Sequence, residues 1–257
     1  MSERPRYKPS ESLEWVFCRA MAICLVGSAL ALVLRGLDLK LLDRLVPGAV
    51  LSQAYIGLTD VVWTGLNVVY SCALVIAAVA LSWWVARMVR NTEALAGAKI
   101  RSASWGWVWF WVPGPNLYRP IDLVSELWTI NMIGRDRVRG GSFTRAKVDR
   151  QKLVHHKPAL VSAWWLAVLA WVILERVGEA MIIYGPTSAL GLPVSWGVYA
   201  AMAGNVVGVA AAAMGIGVVR RVGTLQREWD ERIPKREGAS EPDRSLRVSP
   251  LRSDAAA

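Results

Sequence analysis

Hydrophobic residues in this chain are gathered into long blocks, and the charged residues fall between the blocks rather than inside them. Trp15 to Leu34 is twenty residues with one charge, Arg19, close enough to its start for a long side chain to reach headgroups. Val61 to Ala86 is 26 residues without a charge, Pro158 to Leu174 is 17, and Trp196 to Val219 is 24. The third of these can be extended past Glu175, Arg176 and Glu179 to Tyr184. A helix needs about 20 mostly apolar residues to cross a hydrocarbon core of roughly 30 Å, so the pattern predicts four crossings. A fifth block, Ala103 to Val112, is about 15 Å long as a helix and cannot span.

That short block runs into Pro113, Gly114 and Pro115. The prolines lack backbone donors and Pro115 pushes Gly114 out of the helical region, so the helix stops there. The fold class expected is therefore an all-α polytopic membrane bundle, four transmembrane helices plus one short broken segment that is re-entrant or interfacial. Arg87 to Ile100 reads as an extension of the second span that closes at Gly97. Pro120 suits a helix start, and Ile121 to Met132 follows as an amphipathic helix with Asp122, Ser125, Glu126 and Thr129 on its polar stripe. Within Leu37 to Leu58, the residues Leu37, Leu41, Leu42 and Leu45 share one face and predict a separate interfacial helix. Residues 1–12 and 234–257 are polar, without an apolar pattern, and are expected to be disordered; the domain is placed at 13–233.

Charge sets the orientation. Arg87 to Lys157 holds 13 basic against 5 acidic residues, whereas Arg35 to Asp60 holds 3 against 3 and Glu175 to Ser195 holds 1 against 2. Cytoplasmic segments beside spans retain Lys and Arg, so both termini and the 87–157 loop are expected inside. Insertion and contact with anionic lipid headgroups then account for the net charge of +10, and no nucleic-acid module accompanies it. The 54% hydrophobic content and 14 tryptophans agree with the membrane class. Three cysteines, Cys18, Cys24 and Cys72, lie inside proposed spans without CxxC spacing and read as structural thiols.

The candidate chemistry centres on the break. Asn116 and Arg119 bracket carbonyls that lose their helical partners, and either tie them down or line a polar pocket. Asp122 and Glu126 stand four apart, a spacing suited to a cation, a proton or an ion-pair network with Arg119. His155 and His156 are adjacent and point different ways, with no further ligand nearby, so no metal site and no cofactor is expected. Asn67 and Asn205 lie within spans and are expected to bond between helices. Gly204, Gly208, Ala212 and Gly215 form a small-residue stripe that allows close helix approach. No Walker loop, nucleophile elbow or zinc pattern is present, and an enzyme is not expected.

Arg90-Asn91-Thr92-Glu93-Ala94-Leu95, then Ser104-Trp105-Gly106-Trp107, then Asn116-Leu117-Tyr118-Arg119-Pro120 leading to Glu126-Leu127-Trp128, resembles the bacterial DUF4328 membrane family. Ala163 to Leu169 resembles the Trp-rich helix that follows in that family, and the resemblance covers about Trp83 to Arg221. It differs in Gly114-Pro115, where the family carries a bulky residue after the first proline. The resemblance implies a bacterial inner membrane location and lends no activity. Three readings follow: a non-catalytic lipid- or partner-binding module, alone or as a homo-oligomer; a small oligomeric transporter or channel using the break near Pro113; and a membrane enzyme using Asp122 and Glu126.

Overall fold

The structure, a computed structural model, describes residues 7–44, 53–96, 119–139, 158–184 and 193–232. Its helices are α1 (Glu11–Arg44), α2 (Gln53–Ala96), α3 (Arg119–Arg139), α4 (Ala159–Tyr184) and α5 (Val194–Arg232), and no strand occurs among the described residues. The chain is all-α. Among the described residues three helices are long and apolar enough to cross a membrane: Glu11–Lys40 of α1, Gly57–Leu95 of α2, and α5. Four crossings were expected. Of the four expected crossings the one outside this set is α4, whose uncharged run stops at Leu174 before Glu175, Arg176 and Glu179.

At 1.5 Å per residue, α1, α2 and α5 are about 51, 66 and 58 Å long, well beyond a bilayer core. The extra length of α1 is a correction: Leu37 to Arg44 continues the same helix instead of forming a separate interfacial one. Gly36 meets no neighbour that would bend the chain, and the first helix-breaking pair is Pro47-Gly48. The start of α1 also differs from expectation, because residues 7–12 belong to the described fold. The Ser10 carbonyl accepts from the amides of Leu13 and Glu14, both at 3.0 Å, and its hydroxyl donates to Glu14 Oε1 at 2.8 Å. Helix α2 is described as far as Ala96, and the expected close at Gly97 lies outside the described residues; α4 starts on the Pro158 carbonyl, which accepts from Val161 and Ser162.

Helices α4 and α5 run antiparallel and meet through residues that lack bulk. Ile182 lies against Gly197, Gly178 against Ala201, Glu175 against Gly204, Trp171 against Gly208 and Trp164 against Gly215. Along both helices these partners are spaced 4, 3, 4 and 7, the heptad repeat of a left-handed helix pair. The approach is close enough that a Cβ at Gly197 would lie 2.7 Å from the Ile182 backbone nitrogen. At Gly208 it would lie 2.8 Å from Trp171 Nε1 and 3.1 Å from Ser28 Oγ, so α1 closes the same site.

The core lies toward the end where α1 and α4 begin and α2 and α5 finish. Phe17 and Met21 from α1, Trp84 and Met88 from α2, Leu123 and Leu127 from α3, Trp164 from α4 and Val222 from α5 meet there. Helix α3 fits between the others at that end. Toward the opposite end α2 packs along one side only, through Ala73, Ala77 and Tyr70, while Val61 and Val69 are 71% and 57% exposed.

Glycine substitutions test the register. Gly208→Val is expected to destabilise the protein by about 1–3 kcal/mol, because Trp171 and Ser28 must both move. Gly217, where a Cβ meets nothing within 4 Å, should accept Ala with stability unchanged or raised by up to about 1 kcal/mol. Thermal unfolding of the two variants in one detergent measures the contrast.

Candidate functional site

Four elements converge at the end of the bundle that holds the core, and they are fastened by polar side chains that are all but fully buried. Asn91 on α2 donates to the Lys8 carbonyl at 2.8 Å and to Gln226 Oε1 on α5 at 3.0 Å, while its own oxygen accepts from the Lys8 amide at 3.0 Å. Gln226 Nε2 donates to the Met88 carbonyl at 3.2 Å and to Thr92 Oγ1 at 3.0 Å. Thr92 in turn donates to the Met88 carbonyl at 2.8 Å and accepts from Asn131 Nδ2 of α3 at 3.2 Å. Asn131 also donates to the Leu127 carbonyl at 2.7 Å. Within this network only Asn131 Oδ1 has no partner among the described residues. A buried amide left without partners costs about 1–3 kcal/mol, so such a network holds a single arrangement once formed.

Beside the network, an ion pair ties α1 to α5. Arg227 Nη1 stands 2.9 Å from Glu14 Oε2, and the two side chains are 31% and 9% exposed. The Glu14 carboxylate sits on Gly223, in the space a Cβ would take. Burial works against the Arg227 charge, yet the Glu14 hydrogen bond and the charges of Glu14 and Glu11 outweigh it and raise its pKa above the ordinary value.

Around this end the outer surface carries arginines at similar height. Glu14 meets Gly223, so Arg19 on α1 and Arg220 on α5 fall within about one turn of each other. Gln226 meets Met88 and Thr92, which brings Arg87 and Arg90 of α2 within about two turns of the same height. Arg19, Arg90, Arg220 and Arg221 are exposed, and Arg19 lies over the exposed Trp15 ring at 5.1 Å. Arginine and tryptophan gathered within about two turns at one end of a bundle are the side-chain pattern of a headgroup layer.

Of the residues singled out from sequence, Pro113, Gly114, Pro115 and Asn116 lie outside the described residues, as do the short block 103–112, His155, His156 and the tail 234–257. Arg119 opens α3, although its side chain is also outside the description. Pro120, second in α3, is buried. The helix itself runs to Arg139, past the expected Met132. Asp122 and Glu126 are half-buried and neither is free of partners. Their expected stripe companions are not solvated: Ser125 and Thr129 are buried, and Thr129 donates to the Ser125 carbonyl at 2.9 Å. Neighbours on both α2 and α5 cover α3, which turns part of its polar stripe inward. Gly204, Gly208 and Gly215 receive α4 as described, and Ala212 is fully buried in the core. Asn205 is corrected as well, for its amide donates to Ala201 of its own helix at 2.9 Å instead of bridging to another. Glu175 lies half-buried against Gly204, while Arg176 and Glu179 pair at 3.2 Å on the exposed side.

Sequence reasoning did not find the Asn91, Thr92, Asn131, Gln226 network or the Glu14–Arg227 pair. A signal was present, since Gln226 continues the apolar stripe of Val218, Val219 and Val222 and precedes Trp229 by three. A polar residue on a core-facing stripe predicts a buried partner, but the partner's identity lies more than 130 positions away in the chain.

The model of one family, Domain of unknown function (DUF4328), matches residues 47–224. No curated protein and no solved structure matches the chain. The matched stretch contains Asn91, Thr92 and Asn131; Glu14, Gln226 and Arg227 fall outside it.

Asn91→Leu and Gln226→Leu should each destabilise the protein by about 1–3 kcal/mol, since each strands a buried amide. The double variant should cost less than the two single ones added together, because the residues bond each other directly. Denaturation of the three variants gives the coupling energy, and additive losses would contradict a shared network.

Proposed function

Because the chain belongs to the DUF4328 family, whose description names no activity, we propose a function from its own geometry: a non-catalytic membrane module that engages anionic lipid headgroups at its inner end. In this reading it crosses the plasma membrane of a bacterial cell four times, with both termini and the 87–157 loop in the cytoplasm. The arginine ring formed by Arg19, Arg87, Arg90, Arg220 and Arg221 is the observation that carries the proposal. Each basic residue held near an anionic leaflet contributes about 1 kcal/mol, and the polar network beneath the ring keeps its arginines on fixed helices. The fourth crossing is supported by α4 following α5 over the whole stretch from Trp164 and Gly215 to Ile182 and Gly197. A transport path would need polar groups facing a common space, whereas Asn91, Thr92 and Gln226 are bonded to one another.

Trp15, exposed and stacked with Arg19, marks the layer. In protein with Cys18, Cys24 and Cys72 replaced by Ala, a fluorophore on a single cysteine at Ser12, one turn from Trp15, should be quenched more by brominated phosphatidylglycerol than by brominated phosphatidylcholine at equal content in vesicles. Replacing Arg19, Arg220 and Arg221 together by Gln should remove most of that preference, as should high salt. Equal quenching by the two lipids in the labelled protein with its arginines kept would overturn the headgroup reading. Impermeant thiol labelling of single cysteines should mark position 188 from outside and leave position 145 unmarked.

A further inference from the structure

The outer half of α2 presents a feature that the headgroup reading does not use. Asp60, Thr64, Asn67 and Ser71 are spaced 4, 3 and 4, and at 100° per residue they fall in one sector about 60° wide. All four are exposed. They lie well away from Ala73 and Ala77, the face that α2 buries against the rest of the bundle. Among the described residues Asn67 has no side-chain hydrogen-bond partner. It lies six residues inside the uncharged run that starts at Val61, hence about 9 Å along the helix within hydrocarbon, where lipid tails offer neither donor nor acceptor.

We propose that this polar stripe is a homodimer interface, in which Asn67 of one protomer pairs with Asn67 of its partner across a two-fold axis. A carboxamide carries both donor and acceptor, so two facing copies satisfy each other and no second kind of residue is needed. Thr64 and Ser71, one turn above and below, are small enough to let the two helices come near and can bond across the same seam. Asp60 stands at the outer edge of the run, where its charge stays in water. A two-fold contact between identical faces is also self-limiting, which gives a dimer and not a chain of copies. No described residue covers the stripe. The longest apolar run outside the described helices, Ala103 to Val112, is about 15 Å long as a helix and departs from the opposite end of α2, roughly 43 Å along the helix from Asn67.

Disulfide trapping in vesicles reads the face directly. In full-length protein with Cys18, Cys24 and Cys72 replaced by Ala, single cysteines at Thr64, Asn67 and Ser71 should each give dimers on oxidation. A cysteine at Val69, equally open to lipid but on the other side of α2, should not. Asn67→Leu, with the native cysteines kept, should weaken association roughly tenfold in dilution-dependent energy transfer between labelled protomers, while thermal unfolding confirms an intact fold. Trapping that is equal at Val69 and Asn67, energy transfer unaffected by Asn67→Leu, or a protein that stays monomeric at every lipid dilution would each overturn the interface. None of these outcomes bears on the arginine ring, whose test reads lipid preference.

Discussion

Helix α5 can lie close to α4 only because Gly197, Gly204, Gly208 and Gly215 have no side chains, and the rest of the bundle is arranged around that contact. Hydrocarbon supplies no hydrophobic force to press helices together, so dispersion between closely fitted surfaces has to do it. Trp171 and Trp164 enter the gaps at Gly208 and Gly215, and the seven-residue interval between them matches the interval between the glycines. The fit sets the register of the pair. Ser28 of α1 closes against Gly208, and its hydroxyl lies 3.2 Å from Tyr70 Oη of α2, so the position of the first two helices follows from the same gap.

The end that holds the polar network uses a different force. Asn91, Thr92, Asn131 and Gln226 are buried among apolar neighbours, and each gains from the others what water would otherwise supply. The network joins the N-terminal strap at Lys8 to α2, α3 and α5, while the Glu14–Arg227 pair adds α1. Apolar packing alone tolerates sliding of one helix on another, whereas directional bonds between four elements do not. Arg90 and Arg220, outside this end, are carried on two of the helices that the network joins.

The two ends of α2 thus face opposite situations. Its C-terminal half is enclosed, with Trp84 and Met88 fully buried, and its polar groups are bonded within the protein. Its N-terminal half rests on α1 and leaves Thr64, Asn67 and Ser71 exposed. A polar group in hydrocarbon is costly without a partner, which is why these exposed side chains set this half of α2 apart.

Much of the architecture was legible in residue order alone. The uncharged runs fixed the helical class and the long apolar helices, because only a helix satisfies its own backbone in lipid. The Gly204, Gly208, Ala212, Gly215 stripe announced a close packing face. Legibility ended where a residue's role depends on a distant neighbour. Nothing near Gly208 in the chain says that Trp171 will fill it, and nothing near Gln226 says that Asn91 will meet it. Ser125 and Thr129 share a helical face with Asp122 and Glu126, yet they are buried while the carboxylates are only half so, because the helices that cover α3 come from elsewhere in the sequence. Periodicity reports which face of a helix is apolar, a property of neighbouring residues. Which face is covered, and by what, is settled only when segments far apart in the chain are brought to van der Waals distance.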